Sequence, residues 1–319
     1  MAGRAPRARP PATAEEVEAA WRDTKLAQVL YHDWEAAGYD DKWSISFDQR
    51  CIDYARDRFA AVAGEEGWPH GPALEIGAGT GFFSLNLVQA GALEQVTVTD
   101  LSPGMVEAAQ RNARGLGLEV EGEVADVESL PFPDESFGIV VGHAVLHHVP
   151  DVEQAFHEIL RVLRPRGRFV VCGEPTRYGD LVTRRLSRAT WQVATRVTQL
   201  PPLRSRWARP RVELEESSRA AALEAVVDLH TFDPGVLRRT ALRAGGIDVR
   251  TVTEELTAAW FGWPVRTLEH ALPPERLGWR WAQFAYRGWL GLSALDRRLA
   301  HVVPGELFYN VSITGTRPG

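Results

Sequence analysis

Ala73-Leu74-Glu75-Ile76-Gly77-Ala78-Gly79-Thr80-Gly81-Phe82-Phe83 is a short apolar run of strand type, then three glycines at alternate positions, then the start of an apolar helix. Only glycine combines permissive backbone angles with the absence of a side chain, so the chain here can turn tightly and let a ligand approach closely. The flanking strand and helix favour a ligand on this loop over a bare turn. The spacing is G-x-G-x-G, with Phe82 where the dinucleotide fingerprint needs its third glycine. Glu75, two residues before the first glycine, would repel a pyrophosphate but can support a positively charged ligand. A cationic adenosyl ligand fits better than a dinucleotide.

Working outward, the apolar runs Ala73–Ile76, Val96–Thr99, Gly138–Val141 and Arg168–Cys172 alternate with amphipathic segments. That pattern predicts a parallel sheet covered by helices on both faces. It continues with a helix over Asp233–Gly245 and strands over Ile247–Val252 and Leu307–Ile313. Asp100 stands at the carboxyl end of the second strand, 19 residues past Gly81, where a carboxylate can accept both hydroxyls of a ribose. Leu101 and Met105 could then flank an adenine, and Asp126, in Val124-Ala125-Asp126-Val127, could accept from its exocyclic amine. Alone, either aspartate reads more readily as a helix cap. In register with the glycine loop, the ligand reading prevails for both.

Glu75–Gly81, Asp100, Ala125-Asp126, Leu146-His147-His148 and Leu160–Arg168 together resemble the successive motifs of class I S-adenosylmethionine-dependent methyltransferases. The branch they resemble most contains the ubiquinone and menaquinone biosynthesis methyltransferases. The resemblance covers about residues 71–175 and, more weakly, 232–254; its motifs are specific for cofactor and fold, not for substrate. It implies an α/β, Rossmann-like, doubly wound, mostly parallel seven-stranded sheet with an antiparallel last strand and helical cap insertions. It also implies that the Gly77, Ala78, Gly79 and Gly81 loop lines the methionine half of S-adenosylmethionine and that Glu75 steadies this loop. Asp100 would hold the ribose and Asp126 the adenine, with Leu101, Met105 and Val127 also among the candidate cofactor residues. The chain departs from the family pattern at Gly138, where an aspartate is usual, and at Arg166, where a glycine is common; both departures concern strand edges.

His143 follows the strand expected after Phe137 and reaches the carboxyl edge of the sheet, where ligands of open α/β folds bind. It is the first candidate for a group near the reacting methyl, either as a base or as a packing residue. His147 is the second, although the Leu-His-His pattern reads more readily as structural. His143 and His147 lack the adjacent acid of a zinc-protease motif, so no metal is expected. No G-x-S-x-G elbow is present.

The 319 residues are 45% hydrophobic and 24% charged, ordinary globular composition with enough apolar residue for a core. A net charge of −6 argues against bulk nucleic-acid binding. Cys51 and Cys172 have neither metal-ligand nor disulfide-framework spacing, which fits a reducing cytoplasm. No run of 18 apolar residues occurs. The expected organisation is a disordered tail over 1–14, a helical lead-in or lid over 15–70, and the methyltransferase domain over 71–319, with cap insertions near 177–229 and 257–304. None of the eleven tryptophans falls within 71–175; Trp21, Trp34, Trp43 and Trp68 are in the lead-in and the other seven in the insertions. These aromatics either build an acceptor pocket, with Tyr31, Tyr39 and Trp43 as a lid, or make the insertions' own core.

Residues 177–211 carry nine arginines and one acid, Asp180. A basic helix with apolar residues Val182, Leu186, Ala189, Val193, Val197 and Leu200 on one face can lie on an anionic bilayer or grip an acidic acceptor. Alternatively, its arginines pair with the acids of Glu213–Glu216. The expected partner is a lipophilic or aromatic small molecule methylated on O or C, with peripheral membrane contact through 177–211 and no nucleic acid. Methylation on N or O of a polar metabolite, or a non-transferring protein that keeps the cofactor fold, are the alternatives. The sequence does not decide the oligomeric state.

Overall fold

The computed structural model describes residues 14–20, 22–64, 71–215, 227–273 and 276–319. Trp21, Trp68, Glu216 and the expected tail up to residue 13 lie outside them. The strands are β1 (Ala73–Ile76), β2 (Val96–Asp100), β3 (Glu121–Val124), β4 (Phe137–His143), β5 (Leu163–Pro175), β6 (Ile247–Glu254) and β7 (Asn310–Thr316). They form one sheet in the order β3-β2-β1-β4-β5-β7-β6. β1 to β5 run parallel, and β7 is antiparallel to both its neighbours, β5 and β6. The doubly wound expectation and the antiparallel last strand both hold.

Alternation along β1 divides the core. Leu74 and Ile76 face one side, packing with Phe156, Ile159 and Leu237 from helices Val152–Val162 and Pro234–Arg243. Ala73 belongs to the other face, with Phe83 and Leu87 of helix Phe82–Gln89 and Ala55, Phe59 and Val62 of helix Gln49–Ala63. The sheet's core therefore draws on residues well ahead of 71. Asp48 caps helix Gln49–Ala63 by accepting from Arg50 N.

Several boundaries differ from expectation, β5 running over Leu163–Pro175 where the expected strand was Arg168–Cys172. The last strand begins at Asn310 and not at Leu307, because Gly305–Leu307 closes a single 3₁₀ turn behind Pro304. β3 is Glu-Gly-Glu-Val, polar because it is an exposed edge strand, so hydrophobic alternation could not mark it. Each insertion contributes helices: Arg177–Thr198 and Pro201–Trp207 from the first, Thr257–Ala271 and Trp279–Leu299 from the second. Among the described residues no helix is long and apolar enough to cross a membrane.

The departure at Arg166 has a backbone meaning. Arg166 adopts φ +64°, the left-handed region that favours glycine, while its N–H donates to Arg317 O at 3.2 Å. Arg166→Gly is expected to raise stability by about 1 kcal/mol, measured by chemical denaturation, because relief of left-handed strain outweighs the flexibility glycine adds to the unfolded chain.

Candidate active site

The loop after β1 owes its shape to contacts that a side chain would break. Gly77, Gly79 and Gly81 have φ of +55°, +54° and +84°. A Cβ on Gly77 would lie 2.1 Å from Val145 Cγ2, whereas one on Gly79 would meet nothing nearer than Tyr39 Cε1 at 3.9 Å. Gly77 is therefore closed by packing, and Gly79 lines open space beneath the lead-in.

The period-2 geometry of β1 turns Glu75 toward helix Phe82–Gln89, where it is buried and accepts from Ser84 N at 3.3 Å and from Ser84 Oγ. Burial pushes its carboxyl up to about 8. Asp100 spans the loop and the next helix, accepting from Gly79 N (2.9 Å) and Ser102 N (2.9 Å). Burial, with a contribution from the Asp33 charge, raises it to about 6. Met105 is buried one turn further on, where Ser102 caps helix Pro103–Gly115.

Helices Thr24–Glu35 and Tyr39–Trp43 close over this edge. Asp33 Oδ1 accepts from Ser102 Oγ (2.5 Å) and Gly104 N (2.9 Å), and Asp40 from Thr80 Oγ1 (2.5 Å) and Asn112 Nδ2 (3.0 Å). Asp126, the residue expected to meet an adenine amine, accepts from Lys25 Nζ at 2.5 Å, and Lys25 also pairs with Glu128. Trp43 lies under the Arg266 guanidinium, 4.3 Å from the ring centre, which ties the lead-in to the second insertion.

His143 stands at the end of β4 among aromatic rings, with Phe82, Phe83 and Tyr54 centroids at 5.4, 5.3 and 6.0 Å. Tyr54 Oη approaches its Nε2 at 3.5 Å, and Trp289 from the second insertion lies 6.1 Å beyond the Tyr54 ring. Burial and the charge of nearby Arg58 lower His143 to about 3, so the imidazole is neutral at physiological pH. His147 is placed differently. Its Nδ1 lies 2.9 Å from Glu174, a fully buried carboxylate that also accepts from the backbone N–H of Val145, Leu146 and His147.

His147, His148 and Asp228 come close enough to share an ion, but His148 Nδ1 bonds Val227 O at 3.0 Å and the Arg184 guanidinium lies 3.6 Å from Asp228. Sequence reading missed Glu174, Tyr54 and Lys25. Glu174 carried a usable signal, being an acid at the carboxyl end of an apolar run, as Asp100 is. Tyr54 and Lys25 carried none, since each acts across more than 80 residues of chain.

Residues 74–171 match the family model described as a methyltransferase domain. The chain is 39% identical over 149 residues to a demethylmenaquinone methyltransferase of Clavibacter sepedonicus, covering 47% of this chain and 54% of that one. It is 38% identical over 102 residues to the enzyme of the same name from Thermus thermophilus, covering 32% of this chain and 46% of that one. It thus spans about half the length of these relatives. A solved structure of YcgJ from Bacillus subtilis is also similar, with 18% identity and a TM-score of 0.46 over 85% of this chain and 100% of that one.

The matched segment is a class I methyltransferase domain whose cofactor is S-adenosylmethionine. That segment is similar to the demethylmenaquinone methyltransferases. The residues present fit that cofactor: an open glycine cradle at Gly79, a loop-bound carboxylate at Asp100, and a buried acid beside the cradle where a sulfonium adds positive charge.

Two predictions follow from this geometry. Gly77→Ala should cost about 3 kcal/mol of stability from the clash and the left-handed backbone, while Gly79→Ala should fold, losing about 1 kcal/mol, and bind S-adenosylmethionine poorly; thermal unfolding and calorimetry separate the two. Next, a cationic ligand favours the ionised form of Glu75, so binding S-adenosylmethionine near pH 7 should release a proton. Calorimetry in buffers of different ionisation enthalpy reads that release, which should shrink in Glu75→Gln and with neutral S-adenosylhomocysteine.

Proposed function

We propose that the chain is an S-adenosylmethionine-dependent methyltransferase that places a methyl group on an oxygen or carbon of a lipophilic or aromatic small molecule. The observation that carries this reading is the aromatic cluster about His143, made by Tyr54, Phe82 and Phe83 with Trp289 against Tyr54, beside the helix that follows the glycine loop. Such rings favour a flat, apolar acceptor and leave a strongly polar one with unpaired groups. The names of the demethylmenaquinone methyltransferase relatives support the same class of acceptor. A lipophilic acceptor also agrees with a cytoplasmic enzyme that touches a membrane peripherally.

When bound, the cofactor supplies a methyl group activated on sulfonium sulfur. The Gly77–Gly81 loop, including Ala78, holds its methionine half, Asp100 accepts from the ribose hydroxyls, and Leu101 and Met105 flank the adenine. Asp126 and Val127 close the adenine end, with Lys25 giving up its place on Asp126 to the exocyclic amine. Catalysis is chiefly alignment of acceptor, methyl carbon and sulfur with water excluded, the task of the lead-in lid.

As the new bond to the methyl carbon forms, the carbon–sulfur bond would break to leave a neutral thioether, and the proton of the acceptor's O–H or acidic C–H would pass to solvent water. His143, neutral and within the aromatic cluster, receives a hydrogen bond from the acceptor group and orients it. His147 acts through Glu174 as a positioning residue.

The test is transfer of labelled methyl from S-adenosylmethionine into extracts of the source organism, partitioned between organic and aqueous phases, with Asp100→Ala as control. Label in the organic phase that the variant loses supports the proposal. Label confined to water replaces it with a polar acceptor, and cofactor binding with no label in either phase favours a non-transferring protein. Once an acceptor is found, His143→Phe should reduce kcat by on the order of 10²-fold. The wild-type profile from about pH 5 to pH 8 should show no limb from His143, whose imidazole is held neutral by its low pKa of about 3.

A further inference from the structure

Helix Arg177–Thr198 is packed with its less apolar side inward. Gly179, Thr183, Ala194 and Thr198 are buried, and the helix contacts Thr257–Ala271. Thr183 and Thr198 satisfy their hydroxyls on carbonyls of the preceding turn. The aliphatic stripe read from the sequence points outward: Leu186 is 36% exposed, Val193 61%, Val197 43% and Leu200 50%. Scattered exposed aliphatics are ordinary, but three on one stripe of the helix, continued by Leu200 just past its end, form a contiguous apolar face.

The stripe opens onto a groove of about 640 Å³ lined by Val193, Val197, Leu203, Trp207, Leu268 and Leu272, among others. Helical spacing sets Arg185 and Arg196 beside the stripe and Arg188 further round, away from the buried face. All three are exposed and make no ion pair with an acid among the described residues, in contrast to Arg184, which is held by Asp180, and Arg209, held by Glu213. The acids of Glu213–Glu216 therefore do not account for the positive charge, as far as the described residues extend.

We infer that this face docks on an anionic lipid surface, with the aliphatic stripe and groove entering the headgroup boundary and Arg185, Arg188 and Arg196 meeting lipid phosphates. Apolar area bordered by cations that meet no acid among the described residues is the combination that binds such a surface, by charge complementarity with lipid phosphates. The inference deepens the lipophilic-acceptor reading by giving the enzyme a way to reach a lipid-dissolved acceptor. Arg184, near the start of this helix, lies beside Asp228 and so beside His147 at the site's edge.

The test is co-sedimentation of the full chain with phosphatidylcholine vesicles and with vesicles of equal parts phosphatidylcholine and phosphatidylglycerol. Binding to the anionic vesicles alone is expected, weakening with salt. Arg185→Gln/Arg188→Gln/Arg196→Gln should lower it on the order of a hundredfold, and Val193→Asp/Val197→Asp should abolish it. Both variants should keep wild-type melting temperature and S-adenosylmethionine affinity, since every changed side chain is exposed and outside the cofactor site. No binding to anionic vesicles, equal binding to neutral ones, or full binding by the arginine variant overturns the inference. So does a concentration-dependent dimer that Val193→Asp/Val197→Asp dissolves while vesicles bind nothing. Because cofactor affinity and methyl transfer to a detergent-dispersed acceptor are read separately, failure of docking is distinguishable from failure of the methyltransferase reading.

Discussion

The carboxylate of Glu174 holds the arrangement together. It sits fully buried near the end of β5 and accepts four hydrogen bonds, from the backbone N–H of Val145, Leu146 and His147 and from the ring of His147. A buried charge without partners would be costly, but four donors converging from one turn offset that cost and fix the turn's position. Ala144, at φ +53°, begins this turn and donates to Cys172 O at 2.8 Å. The consequence lies one layer away, where Val145 is held close over Gly77 so that the first glycine of the loop admits no side chain. The glycine loop is thus shaped from outside by an acid almost 100 residues later in the chain.

The lid follows the same logic of carboxylates receiving donors from another element. Asp33 and Asp40 bring the lead-in onto Ser102, Gly104, Thr80 and Asn112, all next to the loop or on the helix after β2. Lys25 reverses the polarity by bringing a cation to Asp126 and Glu128. These contacts are part-buried polar ones, so the lead-in is held less firmly than the sheet beneath it. That ordering suits a site which must admit and release a large cofactor.

The sheet and glycine loop were legible because both depend on local pattern. β1, β2, β4 and β5 are apolar runs at strand length, and Asp100 falls at the end of one of them. β3 was invisible to that pattern because a polar edge strand need not be apolar on either face. The tryptophans show the limit of composition. Trp289 reaches the aromatic cluster through Tyr54, whereas Trp279 is 76% exposed and lines nothing there. The stripe on helix Arg177–Thr198 was found by period, but periodicity cannot tell which face a helix buries. Here the Gly/Thr/Ala face was taken, since small residues let the neighbouring helix approach closely.

The charges behind the aromatic cluster at His143 bear on its protonation. Arg58 is buried, lies 4.1 Å from the Tyr54 ring centre, and pairs with both Glu254 and Glu255. Glu255 in turn accepts from Asn310 Nδ2 at 3.1 Å. One guanidinium thus meets two carboxylates. Its field reaches His143 and, together with burial, keeps that imidazole from protonating. An acceptor that enters beside His143, as proposed, would meet a neutral imidazole, a phenol and aromatic rings, with Arg58 against the Tyr54 ring. A charged acceptor would find no opposite charge on these rings to offset its lost hydration, whereas an aromatic or lipophilic one loses little on entering. On the proposed reading, selection beside this cluster would then rest on the acceptor's flatness and apolarity, with a single hydrogen bond at His143 to orient the atom that takes the methyl group.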